Sequence, residues 1–388
     1  MALGDDLPTK RHLDTGNRAN FNNGDGAIAL YADLRKEMTD PVTPPRQPDF
    51  LTPLPRPHGD IQTAVVNLVG RLAPLVPVTR QPSLARKIAE VIAGRPSSMA
   101  NNMFVRQSII RGGAATDDQV IEGLAAWVTV LFDLGNLQHD RRRALDVEAR
   151  IPGKALACLA HALSKSRNGC ILAVPHIGSI ELFAAHLKDH GFNLGFVYSI
   201  SDQPTLTERW IYEGRRAVHG TPIAFGRRNT GAEISQVLAN NGVVVMVVDV
   251  YPSARFKGIV ARVHDAEFNL PPGPGRYARS GTLILPGFAS RRDERGFAMN
   301  ILAPIEYHAS MPEQDAAAAL TQTLASHIAG FTAEQPEAYW LWHPIPNDPY
   351  LAVAQRYRPD LLNASAAPPP DDEATALAVE AASATLTT

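Results

Sequence analysis

Three of the twelve histidines in this 388-residue chain stand five residues ahead of a carboxylate: His176 before Glu181, His308 before Glu313 and His343 before Asp348. A carboxylate bonded to one imidazole nitrogen fixes the tautomer and raises the basicity of the other, which can then take a proton from an attacking hydroxyl or amine. Whether the two side chains meet depends on chain geometry. At roughly 100° per residue, side chains five apart on one helix point about 140° away from each other. A break in chain direction is therefore needed between them.

VPHIGSIELF, residues 174–183, offers that break. The β-like run CILAVP precedes His176, and the amphipathic helical pattern IELFAAHLKDHG follows it. Ser179 is placed to cap the helix, leaving Glu181 in the first turn, where backbone N–H groups and the macrodipole favour a carboxylate. His176 then reads as a general base and Glu181 as the acid that orients it. His308 is followed by Pro312, well placed to begin a helix, and reads as a surface residue. Two prolines divide His343 from Asp348 in WLWHPIPNDP, so no strand-to-helix junction is expected there. No cysteine or G-x-S-x-G elbow accompanies His176, which suits direct activation of an acceptor over a covalent acyl-enzyme. The competing reading of the pair is a core histidine beside a surface glutamate.

The elements that must position this pair are legible in the periodicities. From Ile61 to about Arg143 apolar residues recur at three and four, as in IQTAVVNLVGRLAPLV and QVIEGLAAWVTVLFDLGNL, which predicts a helical subdomain over 61–150. From Lys154 short β-rich runs alternate with helical ones. CILAVP, LGFVYSI, TPIAF, GVVVMVVDV, IVARVH, TLILPGFA and FAMNILAP read as strands. Helices are expected at about 152–166, 179–190, 204–217, 230–240 and 312–330. The fold class is therefore α/β, a mixed central sheet covered by helices on both faces, with a body over 151–350 and functional groups at strand ends. Residues 1–60, with the proline cluster PVTPPRQPDFLTPLPRPHGD, read as a flexible arm with one short helix near Ala27 to Glu37, and 363–388 as a disordered tail.

Composition narrows the function classes. A net charge of −2 and a pI near 6.6 give no global basic field for nucleic acid or an anionic membrane. Cys158 and Cys170 are too few for a disulfide framework and read as small apolar residues in a reducing compartment. The histidines lack H-x-x-x-H or H-E-x-x-H spacing, so no metal is expected. No signal peptide is recognised and no stretch approaches 18 uninterrupted apolar residues, which points to a cytoplasmic protein, with peripheral contact at the inner membrane face left open.

HIGSIEL, VYSISDQPTLTERWIYEGRR, LANNGVVVMVVDV, PPGPGRYARSGTLILPGF with RRDERGF, and EQPEAYWLWH follow one another in order. These blocks resemble the late acyltransferases of lipid A synthesis and the phosphatidylinositol mannoside acyltransferases, within the lysophospholipid acyltransferase superfamily, over roughly Ile61 to Asn347. The resemblance implies direct acyl transfer from an acyl carrier protein or coenzyme A thioester to a hydroxyl or amine, with no bound cofactor. It implies His176 as base with Glu181 as partner, Arg215 as a phosphate-binding or dyad-holding arginine, and Asp249 as an acidic residue near the active site. Gly273 and Gly275 open a helix whose N–H groups could hold an anion or oxyanion, and Arg227 with Arg228 could meet a pantetheine donor's phosphates; turn glycines and an ordinary exposed loop are the plainer readings.

Three departures qualify the resemblance. Ser199 stands after Tyr198 where relatives usually have arginine, HPIP replaces a common basic pair after W-L-x-H, and the anchor typical of the lipid A enzymes is not recognised. They favour a soluble acceptor, or a lipid visited at the membrane surface, over a phosphorylated membrane glycolipid. They also open the donor to an aminoacyl ester, such as a charged tRNA or an aminoacyl carrier. A hydrolase and a non-catalytic lipid or carrier-protein binding module are the rival functions.

Overall fold

The computed structural model describes residues 61–361, apart from 96, 148, 151, 200–203, 205, 219, 226, 250–257, 294 and 342–346. The expected arm with its short helix, the expected tail, and His343 lie outside the described residues.

The chain begins with helices α1 (Ile61–Leu72), α2 (Gln81–Ala93), α3 (Ser98–Arg111) and α4 (Asp117–His139), then the short α5 (Arg141–Leu145). Local sequence sets their ends. The Ser97 hydroxyl accepts from the Ala100 N–H at the start of α3, and Gly112 closes that helix in the left-handed region at φ 65°. Thr116 and Gln119 form a reciprocal capping box that starts α4. By length and composition α4 could cross a membrane, with a mean hydropathy of 1.4, but 89% of that window is buried inside the fold. It is the core helix of the N-terminal part.

Next come β1 (Ala149–Arg150), α6 (Gly153–Lys165), β2 (Cys170–Val174), α7 (Ile180–Asp189), β3 (Leu194–Ser199), α8 (Leu206–Ala217), β4 (Thr221–Phe225), α9 (Thr230–Ala239) and β5 (Val243–Val247). After β6 (Ile259–Val263), β7 (Ala266–Leu270) and α10 (Gly273–Ala278) come β8 (Leu283–Ala289), β9 (Phe297–Ile301) and α11 (Glu313–Glu334). A 3-10 turn at Pro336–Ala338 and α12 (Asn347–Tyr357) follow.

The central sheet has the order β1-β9-β8-β2-β5-β3-β4. Strands β8, β2, β5, β3 and β4 run parallel, and β9 is antiparallel to β8, giving the mixed sheet and flanking helices that the sequence predicts. One register governs the site: β2 pairs with β5 from Cys170↔Val243 to Val174↔Val247, so the two chains leave the sheet side by side and level. The main apolar core runs from Ile61 to Leu361 through both the helical and the sheet regions, and a smaller cluster gathers Ile177, Phe288, Phe331, Tyr339 and Leu341.

One strand assignment needs correction. IVARVH does not join the central sheet; as β6 it pairs antiparallel with β7, which the sequence reading missed, in a hairpin packed on α11. Its alternating burial marks a half-buried ribbon, unlike the continuously buried β2.

Candidate active site

His176 and Asp249 each stand two residues past the end of a strand, and the β2–β5 register brings them together. The backbone N–H of His176 donates to Asp249 Oδ2 at 2.7 Å, and Nδ1 lies 2.7 Å from Oδ1. An ionised carboxylate only accepts, so Nδ1 carries a hydrogen, and in the neutral ring the lone pair is on Nε2. Burial alone would raise the Asp249 carboxyl, but the charge and hydrogen bonds of His176, followed by the charge of Arg106, outweigh it and hold the group below its usual range.

The loop carrying His176 is fixed from both sides. Trp340 N–H donates to the His176 carbonyl at 3.1 Å, and its indole Nε1–H donates to the Gly178 carbonyl at 2.8 Å. The Trp340 ring meets the imidazole edge-on, with centroids 4.7 Å apart. Gly178, at φ 60°, passes so close to the chain that a Cβ would lie 2.2 Å from the Ser290 carbonyl oxygen. Only glycine fits this turn.

Glu181 sits in the first turn of α7, as the sequence predicts, but it does not orient His176. Its Oε1 accepts from Arg215 Nε at 3.1 Å, and no hydrogen bond joins it to the imidazole. Both expected residues are thus present with a different partnership: Asp249 holds the histidine, and Glu181 holds Arg215. The reason is directional, because Glu181 turns into the protein toward α8 and is 1% exposed, while the histidine is gripped by the chain leaving β5. Arg215 also lies over the Phe196 ring, 5.4 Å from its centroid. Its charge is committed within the fold.

Ser179 occupies the N-cap position of α7 but makes no side-chain cap, contrary to the sequence reading. Its hydroxyl donates to Asp133 of α4, which forms an ion pair at 2.6 Å with Arg292 of the RRDERGF block. Arg292 is 1% exposed and also donates to the Val78 carbonyl and to Gln81 Oε1. Burial pushes Asp133 up to about 6, against the pull of Arg292 and Ser179. This network ties the helical region to the helix that follows the histidine.

The structure places the remaining sequence candidates as follows. Arg227 and Arg228 are exposed just after β4, three strands from β2 and so about 14 Å across the same carboxyl edge. Gly273 and Gly275 open the six-residue α10. A Cβ on Gly275 would lie 3.0 Å from that of Ala317 on α11, and one on Gly273 would lie 3.1 Å from Met246 Sδ. Close packing accounts for Gly275 better than an oxyanion site does. His308 is half-exposed near Glu306, in keeping with its surface reading. Cys170 is buried, and Cys158 is half-buried with its thiol toward the Leu302 carbonyl. Among the described residues no group of three or more His, Cys, Asp or Glu is set to hold a metal ion.

Sequence reasoning missed three side chains around the pair. Trp340 and Tyr339 belong to the EAYWLWH block, which carried part of the resemblance. Arg106 gave no signal, since it sits in an ordinary helical pattern. Arg106, Tyr339 and Asp249 line a cavity together with His264, Thr332 and the apolar side chains of Ile109, Ile110, Val263, Phe268, Leu270 and Ile328. Asp249, and not His176, is the member of the pair in that lining.

Two comparisons bear on this arrangement. The family model described as bacterial lipid A biosynthesis acyltransferase matches residues 120–345, more than half of the chain, and includes His176, Glu181, Arg215, Asp249 and Trp340. No curated protein sequence matches the chain.

Proposed function

We propose a mechanism and a substrate class for this chain, which belongs to the bacterial lipid A biosynthesis acyltransferase family and is an acyltransferase. The observation that carries the mechanism is the 2.7 Å contact of His176 Nδ1 with Asp249 at the carboxyl edge of the sheet. With Nδ1–H held there, Nε2 removes the proton from an acceptor hydroxyl or amine as that atom attacks the thioester carbonyl. The imidazolium that forms is balanced by Asp249. Collapse of the tetrahedral intermediate breaks the C–S bond, and Nε2 returns its proton to the departing thiolate. Base catalysis of this kind contributes on the order of 10²- to 10⁴-fold in rate.

The donor in this reading is an acyl thioester of carrier protein or coenzyme A, and the acceptor is a lipid reached at a membrane surface. Family membership supports the lipid acceptor. Arg227 and Arg228 are exposed on the same edge, where they suit a donor's phosphates. Mass spectrometry tests the reading: purified protein is incubated with acyl-coenzyme A, acyl-carrier-protein and aminoacyl-tRNA donors, with lipid vesicles or soluble alcohols and amines as acceptors. The expected product is an acylated lipid formed in step with free thiol. Release of free acid alone, or transfer only from the aminoacyl donor to a soluble acceptor, overturns it.

A further inference from the structure

Arg106 is buried, at 3% exposed, on α3, a helix that lies outside residues 120–345. Its Nη1 donates to the Tyr339 hydroxyl at 3.1 Å, and its guanidinium lies over the Tyr339 ring, 5.3 Å from the centroid. It lines the same cavity as Asp249. An arginine stays charged when buried, and burying that charge is costly unless hydrogen bonds and nearby opposite charge compensate it. Asp249 is the carboxylate lining that cavity, and the charge of Arg106 is among the influences that lower it.

We infer that Arg106 is a positioning residue whose charge keeps the His176–Asp249 pair in the form with a neutral imidazole, ready to accept a proton; this rests on the base role proposed for His176. With His176 protonated, the imidazolium itself balances Asp249. A base must start neutral, and the pair then carries one net negative charge. Among the described residues lining this cavity, Arg106 is the fixed cation left to balance it. The other polar groups there are engaged elsewhere: Tyr339 is a partner of Arg106, and His264 of the β6–β7 hairpin, which burial disfavours in its charged form, meets the Thr332 hydroxyl at 2.7 Å. Removing the Arg106 charge makes the pair grip its proton more tightly, so the titration of the pair as a unit moves to higher pH.

The test is an NMR titration of the His176 ring in the parent, Arg106→Gln, Arg106→Lys and Tyr339→Phe, with kcat–pH profiles alongside. Gln keeps a donor toward Tyr339 but no charge, and Arg106→Met is a second uncharged side chain of similar length should Gln fail to fold. The expected result is a midpoint raised by about one pH unit in the uncharged variant, with the acid limb of kcat moving likewise. Lys and Tyr339→Phe, which keep the charge, should titrate near the parent. A parent-like midpoint in the uncharged variant, or an equal shift in Tyr339→Phe, overturns the assignment. The titration needs no substrate. A midpoint shifted in the uncharged variant, with a parent that transfers no acyl group, rejects the proposed function and leaves the Arg106 role standing, whereas acyl transfer by the parent with an unshifted variant midpoint rejects only the Arg106 role.

Discussion

Asp249 receives two hydrogen bonds from His176, one from the backbone N–H and one from the ring, each 2.7 Å long. A single side-chain contact would fix the tautomer; the additional main-chain bond also fixes where the loop leaves the strand. Both residues are almost fully buried, so the pair is held by the protein and not by solvent.

Glu181 and Arg215 form a separate buried pair, with Arg215 only 12% exposed at its side chain. Glu181→Ala strands that arginine and should cost about 3–5 kcal/mol of stability, seen as a lower urea midpoint. Glu181→Ala with Arg215→Met should recover much of the loss. The folded fraction of Glu181→Ala should keep kcat within about tenfold of the parent, below the 10²-fold minimum expected on loss of an orienting acid. A fall of 10³ in kcat at unchanged stability would return Glu181 to the histidine.

Gly178 holds the turn after His176 in a conformation and space that admit no side chain. Gly178→Ala should destabilise the chain by more than about 1–2 kcal/mol from the left-handed backbone alone, with the clash against Ser290 and Ala289 added. Transfer by the folded fraction should fall at least about tenfold, since small displacements of a base are costly. Parent-like melting and rate would show that the loop is not fixed as described.

Asp133 gives a pH signature. Its folded carboxyl is raised from 3.8 to about 6, so between those values the folded chain binds more protons than the unfolded one. Its contribution is fully present below the unfolded value and is lost as pH rises through the folded value. The stability of the parent relative to Asp133→Asn should therefore fall by on the order of 1–3 kcal/mol from pH 4 to pH 6.5, read from urea unfolding. A difference that stays constant across that window contradicts burial as the dominant influence.

The strand-to-helix junction at His176 and most of the scaffold were legible in the sequence, because strand runs and helical stripes are local patterns. It misassigned the partner because a five-residue spacing describes only neighbours along the chain. The relation that matters is β2 lying beside β5, which chain order does not announce, since β3 and β4 come between them. Asp249 was reached through the family resemblance and not through spacing. Ser179 was misread as a cap for a similar reason: its acceptor, Asp133, lies on another helix. Arg106 and the β6–β7 hairpin stayed hidden because a buried cation in a helical stripe and a half-buried ribbon look ordinary until their neighbours are known.

Initial acyl-transfer rates of His176→Ala, Asp249→Asn and the double variant, each verified as folded, test the catalytic pair most directly. If the two residues work as one unit, each single variant loses on the order of 10²- to 10⁴-fold, and the double loses little more than His176→Ala alone. Parent-like transfer by folded His176→Ala, or losses that multiply in the double variant, would contradict the account.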